Sequence, residues 1–177
     1  MTNKSLTQRY LKECVSYDPE TGEFRWNKYR PLTHFKNWRG WNQFSHIYGG
    51  KEAGNLSHYG YIEIRINFAL YKAHRLAWLY MTGEWPEEQI DHINHVRDDN
   101  RWCNLRSVTR YENRINSGAR KDTKWTVGVT KVKGVWLARI TDKGAPINLG
   151  YFKSFEEAAD VRKRAEAEYG YHPNHGK

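Results

Sequence analysis

The sequence has few cysteines and no long apolar run. Two of its 177 residues are cysteine, Cys14 and Cys103, which is too few for a disulfide scaffold or a four-cysteine zinc site. We expect both thiols to be reduced. No apolar run approaches the ~20 residues that a membrane-spanning helix needs, and mean hydropathy is −0.93. The N-terminal residues also lack the apolar core of a signal peptide, so we expect a cytoplasmic protein with no membrane partner.

Positive charge and aromatic side chains are what the chain has in excess. Its formal net charge is +9, from 29 Lys and Arg against 20 Asp and Glu, and its pI is about 9.5. This balance favours a polyanionic partner. Aromatic residues make up 15% of the chain. Most of them can build a core in an otherwise polar protein, while some could stack on bases.

The N-terminal half alternates between helical and strand patterns. Apolar periodicity predicts two helices and three strands: a helix over 5–15, strands over 23–26, 60–66 and 69–71, and a helix over 74–81. The second helix should end at Gly83. Residues 27–55 show no clear period. They form either a surface loop that orders on a nucleic acid such as DNA, or a loop packed on the domain by its aromatic side chains.

A strand–loop–strand–helix unit follows. The apolar pattern of residues 89–93 predicts a strand. That of residues 105–108 predicts a return strand after a polar loop. Thr109 and Glu112 have the spacing of a capping box, which predicts a helix that begins at Thr109. This helix carries Asn113 in its first turn.

The C-terminal residues repeat a simpler pattern after a basic stretch that lacks apolar periodicity. Three segments alternate and predict a three-stranded antiparallel meander: residues 125–131, 135–141 and 147–152. Ser154 and Glu157 form a second capping box and open a helix to about Tyr169. We therefore predict an α+β fold with a small N-terminal antiparallel sheet and helices, the strand–loop–strand–helix unit, and a C-terminal three-stranded sheet with a helix.

Asp91 and His92 are adjacent at the end of a predicted strand, and together they suit phosphodiester hydrolysis. An imidazole with a near-neutral pKa can take a proton from water. A carboxylate and an amide oxygen can hold a divalent cation and leave positions open for phosphate oxygens. Asn113 can face Asp91 from the following helix. Asn104 should lie beside His92, where its amide oxygen can accept the Nδ1 proton and leave Nε2 as the base.

These four residues, with Asn104-Leu105-Arg106 opening the return strand, resemble the HNH (ββα-metal) nuclease motif. The variant is the Asp-His…Asn…Asn form of phage and intron-encoded homing endonucleases. Asn104 lies 13 residues after Asp91, and Asn113 lies 22 residues after it, separations that suit this variant. Further segments look like the same family: residues 17–22, 60–62, 73–78, 83–86 and 115–116.

The resemblance implies a role for each of the four residues. Asp91 and Asn113 would bind one Mg²⁺ or Mn²⁺, His92 would be the general base, and Asn104 would orient it. The ββα-metal core would span about residues 88–117. Because the chain lacks the cysteine pairs of zinc-bearing relatives, we expect no structural zinc. We also expect no small-molecule cofactor.

The last segment resembles an AP2-like DNA-binding domain. Four stretches carry the match: residues 128–129, 136–140, 149–152 and 155–159. In that family a three-stranded sheet enters the major groove and a helix backs it. The resemblance makes four outward-facing cations candidate contacts to phosphates or bases: Lys131, Lys133, Arg139 and Lys143.

Other cations near the predicted site are further candidate DNA contacts. They are Arg75, Arg106, Arg110, Arg114, Arg120, Lys121 and Lys124. For His74, a buried position in the core is an alternative to DNA contact. We expect a nuclease part over residues 1–117, a basic linker over 118–124, an AP2-like domain over 125–170 and a tail over 171–177.

Several nearby residues offer competing interpretations. Asp98 and Asp99 are either metal ligands or part of a solvated loop, and we prefer the loop because no partner lies in helical or strand register. His95 and Cys103 could join His92 around zinc, but their spacing fits no usual site.

The sequence thus predicts a metal-dependent endonuclease that hydrolyses double-stranded DNA. A monomer with one active site should cut one strand at a time, so we expect nicking. Site-specific cleavage of the homing type is implied by the resemblance, and a phage-encoded protein would act in the host cytoplasm. One alternative is a non-catalytic, sequence-specific DNA-binding regulator with a decayed HNH module. Another is a non-specific defence or packaging nuclease. In isolation Asp91 and His92 would be a turn former and a structural histidine, but Asn104 and Asn113 in register argue against that.

Overall fold

The computed structural model describes residues 6–115, 126–171, 173 and 175. Contacts within the chain divide it into two units, Met1–Ser107 and Val108–Lys177. Each unit combines helices with small antiparallel sheets, which confirms the predicted α+β class. The domain boundaries predicted at residues 117, 124 and 170 stay predictions.

None of the helices in the described ranges combines the length and the apolar character needed to cross a membrane.

The first unit begins with a helix that runs directly into a short hairpin. Helix α1 (Gln8–Cys14) starts after Thr7, whose hydroxyl accepts a hydrogen bond from the Tyr10 N–H. Strand β1 (Val15–Tyr17) follows and pairs antiparallel with β2 (Phe24–Trp26). The predicted helix and strand in this part are confirmed with shorter bounds.

The segment without a sequence period contains a helix that was not predicted. Helix α2 (Trp38–Ile47) begins after Asn37, whose side chain caps the first turn. Phe44 of this helix packs edge-on against Trp26 and beside Phe35, with ring centroids 5.5 and 5.3 Å apart. The structure therefore supports packing by aromatic side chains for this segment. Trp38, Trp41 and Phe44 recur every third residue and lie on one broad side of α2, so the sequence did contain an apolar spacing that could have identified this helix.

A three-stranded sheet and a helix form the centre of the first unit. Strands β3 (Asn55–Leu56), β4 (Ile62–Ile66) and β5 (Ala69–Lys72) are antiparallel and adjacent in this order. Helix α3 (Ala73–Thr82) follows β5 and ends at Gly83, whose φ of +90° is the left-handed conformation that favours glycine at a helix C-terminus. The core combines apolar side chains of α1, β1, β4 and α3, including Leu11, Val15, Ile64, Ile66, Leu76 and Leu79.

Strands β6 (Gln89–His92) and β7 (Leu105–Val108) form a two-stranded sheet. A 3-10 turn over Trp102–Asn104 leads into β7. The Ile93 N–H donates to the Asn104 carbonyl at 2.9 Å, which extends the pairing beyond the end of β6. The predicted return strand is confirmed with its predicted bounds.

The turn of the β1–β2 hairpin packs against the loop between β6 and β7. The Tyr17 hydroxyl donates to the Asn100 carbonyl at 2.7 Å, and the Trp102 N–H donates to the Pro19 carbonyl at 2.9 Å. Gly22 has φ +79°, and a Cβ on it would lie 2.5 Å from the Asn100 carbonyl carbon. Only glycine permits both this conformation and this close approach. The N-terminal hairpin therefore helps to fix the path of the loop.

The second unit begins with a short capped helix. The predicted capping box is confirmed, because the Glu112 N–H donates to the Thr109 hydroxyl at 3.2 Å and the Thr109 N–H donates to the Glu112 carboxylate at 2.7 Å. Helix α4 (Arg110–Ile115) follows this cap.

The rest of the second unit is the predicted meander and helix. Strands β8 (Val129–Val132), β9 (Val135–Asp142) and β10 (Ala145–Phe152) form an antiparallel sheet with β9 in the middle. Helix α5 (Phe155–Glu168) begins after Ser154, whose hydroxyl accepts from the Glu157 N–H. Its core combines Val129, Trp136, Ala138 and Ala158.

Candidate active site

Asp91 and His92 are the last two residues of β6, which confirms their predicted place at a strand terminus. Successive side chains of a strand alternate between its two faces. His92 is buried, with 4% of its surface exposed, whereas Asp91 is half-buried. The two groups that the sequence paired therefore have different environments.

The His92 imidazole is packed by two rings and an amide. The His74 ring meets it edge-on with the ring centroids 4.9 Å apart, and the Tyr61 ring centroid lies 6.0 Å away. Nε2 lies 3.5 Å from the Asn100 Oδ1, at the long end of the hydrogen-bond range. Because an amide oxygen only accepts, this contact favours the tautomer with a proton on Nε2 and leaves Nδ1 to accept one.

Burial lowers the pKa of His92 below its ordinary value of 6.5. The Asn100 contact and the negative charges of Asp91, Asp99 and Asp98 oppose this shift without cancelling it. The ring is therefore neutral at neutral pH, which is the protonation state that a general base requires.

His74, the second buried histidine of this cluster, has a strongly lowered pKa. It is 5% exposed, and burial, with the nearby charges of His92, Lys72 and Arg75, lowers its pKa to about 3. Its Nδ1 is buried and has no hydrogen-bond partner within the described part of the chain. Between the two interpretations of His74, the structure supports the buried core position.

Two cations lie on the Tyr61 ring, which belongs to the same cluster. The Lys72 Nζ lies 4.2 Å from the ring centroid and the Arg97 guanidinium carbon lies 5.2 Å from it. Arg97 is held further by a 2.8 Å hydrogen bond to the Tyr59 carbonyl. Two positive charges are thus held close to the ring cluster of His92, where they could offset the charge of a phosphate.

The Asn104 amide is bonded to the loop and not to His92. Its Oδ1 accepts from the Asn94 N–H at 3.0 Å, and its Nδ2 donates to the Asn94 Oδ1 at 2.9 Å and the Asp99 carbonyl at 2.8 Å. The expected Asn104–His92 hydrogen bond is therefore wrong for this structure, because backbone and side-chain groups of the loop occupy the amide. The amide beside His92 is that of Asn100. A catalytic role for Asn104 stays a prediction.

Asp99 is also a structural residue of this loop. Arg101 donates to its carboxylate through Nε and Nη2 at 2.8 and 2.6 Å, and the Asn94 amide donates to it at 2.6 Å. These bonds, led by that from Arg101, lower the pKa of Asp99 to about 2. Both Asp98 and Asp99 lie in the loop, as preferred, and Asp98 is exposed. The Asp99 side chain is only 14% exposed, so for this residue the expected solvation is wrong.

Asp91, the predicted metal ligand, is paired with a cation from the neighbouring strand. Arg106 donates through Nε and Nη2 to the Asp91 Oδ2 at 3.1 and 2.9 Å. Both side chains are partly buried, at 12% and 29% exposure for Asp91 and Arg106. The predicted DNA contact by Arg106 stays a prediction, and its partner within the protein is Asp91.

The chemistry of the proposed metal ligands suits a hard divalent cation, because carboxylate and amide oxygens are what Mg²⁺ and Mn²⁺ prefer. Asn113 lies in the first turn of α4, half-buried, and its N–H donates to the Thr109 carbonyl at 3.0 Å. A metal site that joins Asp91 and Asn113 stays a prediction. Over the described ranges, no group of three or more His, Cys, Asp or Glu side chains could hold a metal ion.

Five of the eleven predicted DNA-contact residues are exposed side chains of the second unit. These are Arg110, Lys131, Lys133, Arg139 and Lys143. Lys133 and Lys143 each open a two-residue turn with positive φ, at +47° and +44°, before a glycine. Such turns connect β-hairpin strands tightly, so both ammonium groups project from the ends of the sheet. Their contact with DNA stays a prediction.

Arg75 and the cations of the predicted linker do not belong to this exposed set. Arg75 is half-buried and donates to the carbonyls of Pro86 and Glu88 at 3.3 and 3.5 Å. It therefore tethers the segment before β6, and its phosphate contact stays a prediction. Three further predicted contacts, Arg120, Lys121 and Lys124, lie outside the described residues. The side chain of Arg114 also lies outside the described part of the structure.

Sequence reasoning did not predict the three contacts to His92, which are made by Tyr61, His74 and Asn100. His74 and Tyr61 come from different elements, the start of α3 and the residue before β4. Their meeting depends on tertiary packing. Asn100 did offer a signal, because it is a third amide within the same polar loop and therefore an alternative to Asn104.

Comparison with known proteins finds a similarity within this region. A family model described as HNH endonuclease matches residues 71–115, a segment that runs from β5 to the end of α4. The match includes Asp91, His92, Asn104 and Asn113, and it supports an HNH nuclease that acts on DNA. No curated protein and no solved structure matches the chain.

Proposed function

We propose that this protein is a metal-dependent endonuclease that hydrolyses phosphodiester bonds of double-stranded DNA. The observation that carries this proposal is a buried, neutral imidazole, His92, next to the carboxylate of Asp91 within the segment that matches HNH endonucleases. Cleavage would be site-specific and of the homing type, and a monomer acting in the cytoplasm would nick one strand per event.

His92 would act as the general base. Nδ1 takes a proton from the attacking water, since Asn100 engages Nε2. Packing by His74 and Tyr61 holds the imidazole plane. Burial keeps the ring neutral until the proton arrives.

Asp91 and Asn113 would hold one Mg²⁺ or Mn²⁺. The bound ion supplies positive charge against the phosphate and the leaving 3′ oxygen. Asp91 has to release or share its Oδ2 contact with Arg106 when it takes up this role. The freed guanidinium then has a phosphate oxygen as its natural alternative partner.

Asn104 would be a positioning residue of the site. Its amide holds Asn94 and the Asp99 carbonyl, and this loop carries Asn100 to the ring of His92. Asn104 would therefore support the position of His92 indirectly, through the loop. The spacing along the chain had suggested a direct hydrogen bond to the imidazole.

Binding of the duplex would be shared between the two units. Lys72 and Arg97, held on Tyr61, would contact phosphates beside the reacting strand. The β8–β10 sheet would act as an AP2-like reader whose exposed cations, Lys131, Lys133 and Arg139 among them, contact phosphates and bases.

A non-catalytic DNA-binding regulator is the second candidate. The observation that favours it is the Asp91–Arg106 ion pair, because a carboxylate satisfied within the protein has less need of a metal. The two candidates differ in whether DNA is cut.

Incubation of supercoiled plasmid with the protein and Mg²⁺ or Mn²⁺ tests the proposal. The wild type should produce open circles, and His92→Ala should reduce the rate by about 10²–10⁴-fold, the usual contribution of a general base. His46→Ala is the matched control, because His46 is exposed on α2. Nicking that survives chelation of the metal, or that His92→Ala leaves unchanged, would contradict this assignment. Specific gel-shift binding without any cleavage would favour the regulator.

A further inference from the structure

The β4–β5 hairpin ends in a phenylalanine that barely touches the protein. Strand register pairs Ile66 with Ala69, so Asn67 and Phe68 form a two-residue turn. Phe68 is 95% exposed. It borders a cavity of about 790 Å³ without filling it. Its ring therefore contributes little apolar burial to the fold.

The backbone at Phe68 is also unfavourable for this residue type. Asn67 and Phe68 have φ values of +50° and +66°, the pair of left-handed conformations of a tight hairpin turn. Asparagine tolerates the first position, but glycine is the residue that fits the second without strain. Phe68 thus brings strain to the turn and gains no burial in return. Such a combination points to a role in contact with another molecule.

The surroundings of Phe68 suit a polyanion with an apolar interior. Arg65, exposed on β4, donates its Nη1 to the Phe68 carbonyl at 3.3 Å and so places a positive charge at the tip. Leu56 and Leu70 on the neighbouring strands are 62% and 52% exposed. Strand β3 pairs only with Ile62 and Glu63, so the sheet narrows to two strands toward the turn. The Tyr10 hydroxyl donates to the Asn67 Oδ1 at 2.9 Å and fixes this turn on the first unit. A ribbon of two strands can enter a DNA groove, and the net charge of +9 favours such a partner.

We propose that Phe68 is a wedge that inserts between adjacent base pairs of the DNA substrate. Aromatic and aliphatic side chains inserted at a base step unstack it, and they unwind and kink the duplex. Arg65 contacts a phosphate flanking the step, and the rigid turn drives the ring into the stack. This proposal rests on the proposed function, because it takes DNA as the substrate.

The test measures unwinding separately from cleavage. Protein with His92→Ala, which should not cut, is bound to a singly nicked plasmid. The nick is then sealed by ligase, the protein is removed, and the linking number is read from topoisomers on a gel. Insertion should lower the linking number in proportion to bound protein. Adding Phe68→Gly should abolish this shift, whereas Phe68→Trp should keep it. Tyr29→Ala is the matched control, because Tyr29 is 73% exposed elsewhere in the first unit, and it should leave the shift unchanged.

A thermal melt of the same variants adds an independent readout. Phe68→Gly should raise the melting temperature by roughly 2–4 °C, because glycine removes the left-handed strain. A lower melting temperature would mean that Phe68 packs in the fold, and this would overturn the proposal. A linking-number shift that Phe68→Gly leaves intact would overturn it as well, and would make a protein partner the better explanation of the exposed ring.

Failure of the wedge can be distinguished from failure of the nuclease assignment. Protein that retains His92 is assayed for nicking in parallel. Nicking without any unwinding defeats the wedge alone. Unwinding that depends on Phe68, without nicking, supports the wedge and defeats the nuclease. Protein that neither binds nor unwinds DNA overturns both.

Discussion

The loop between β6 and β7 and the β8–β10 sheet are both polar, but they use their polar side chains in opposite ways. In the loop, Asn94, Asp99 and Asn104 bond to one another and to the backbone. On the sheet, cations such as Lys133 and Arg139 are exposed to solvent. The loop is shaped before any ligand arrives, as chemistry requires. The sheet keeps its charge available for a partner, as binding of a polyanion requires.

The largest expected effect concerns the buried cluster that supports the loop. Between pH 6.5 and 3 the unfolded chain protonates His74, whereas the folded protein does not, because burial lowers the pKa of His74 to about 3. Stability is thus fully present above pH 6.5 and falls as the pH drops, by about 1.4 kcal/mol per pH unit from this group. The replacement His74→Phe should remove that loss, so that urea unfolding at pH 7 and pH 5 differs by roughly 2 kcal/mol less than in the wild type.

The same pair of measurements on His46→Ala serves as the control, since His46 is exposed. Equal acid destabilisation in His74→Phe and in the wild type would show that His74 titrates normally and that the cluster is not rigidly closed.

The next effect compares one amide from each region. Asn104 is 6% exposed, and Asn104→Ala removes its hydrogen bonds with the Asn94 N–H and the Asp99 carbonyl, which should destabilise the protein by about 1–3 kcal/mol. Asn148→Ala removes an exposed amide of β10 that accepts from the Gly150 N–H. It should change stability by less than about 0.5 kcal/mol. Equal losses in chemical denaturation would end the distinction between the two regions.

A smaller effect is expected at the ion pair between Arg106 and Asp91, the proposed metal ligand. Arg106→Gln removes the guanidinium from the Asp91 carboxylate. A partly exposed pair of this kind contributes up to about 1 kcal/mol, so half-maximal nicking should require roughly five-fold less Mg²⁺. The matched control is Arg139→Gln on the sheet, which should leave the metal dependence unchanged. A higher Mg²⁺ requirement in Arg106→Gln would show that Arg106 assists the metal-bound state and does not compete with it.

The smallest effect tests the sheet. Lys133→Asn keeps a residue that tolerates φ +47° before Gly134 and removes one positive charge. If Lys133 contacts a phosphate, the slope of log affinity against log salt should fall in magnitude by about 0.9, with stability unchanged. The measurement is a salt titration of DNA binding by fluorescence anisotropy. An unchanged slope would place Lys133 outside the interface.

Local signals in the sequence predicted most elements, and long-range packing explains what they missed. The β7 bounds and both capping boxes follow from alternation and from Ser/Thr–Glu spacing within a few residues. Helix α2 was missed although Trp38, Trp41 and Phe44 lie on one broad side of it. The Asn104–His92 contact was wrong because spacing along the chain brings both residues near the same loop, yet cannot decide which amide meets which partner. The His74–His92 contact joins α3 to β6, and no local pattern predicts it.

Gly22 and Tyr17 have a consequence for how small a working fragment of this protein could be. The segment that matches the HNH family begins at residue 71, but the loop within it packs against the N-terminal hairpin of residues 15–26. The contacts are the Tyr17 hydroxyl and the close approach at Gly22. Grafting residues 71–115 alone onto another protein would transfer Asp91 and His92 without the hairpin contacts that help to fix the loop. We therefore expect a segment that keeps the structure of the loop to include the N-terminal hairpin, so that it is longer than the segment that matches the family.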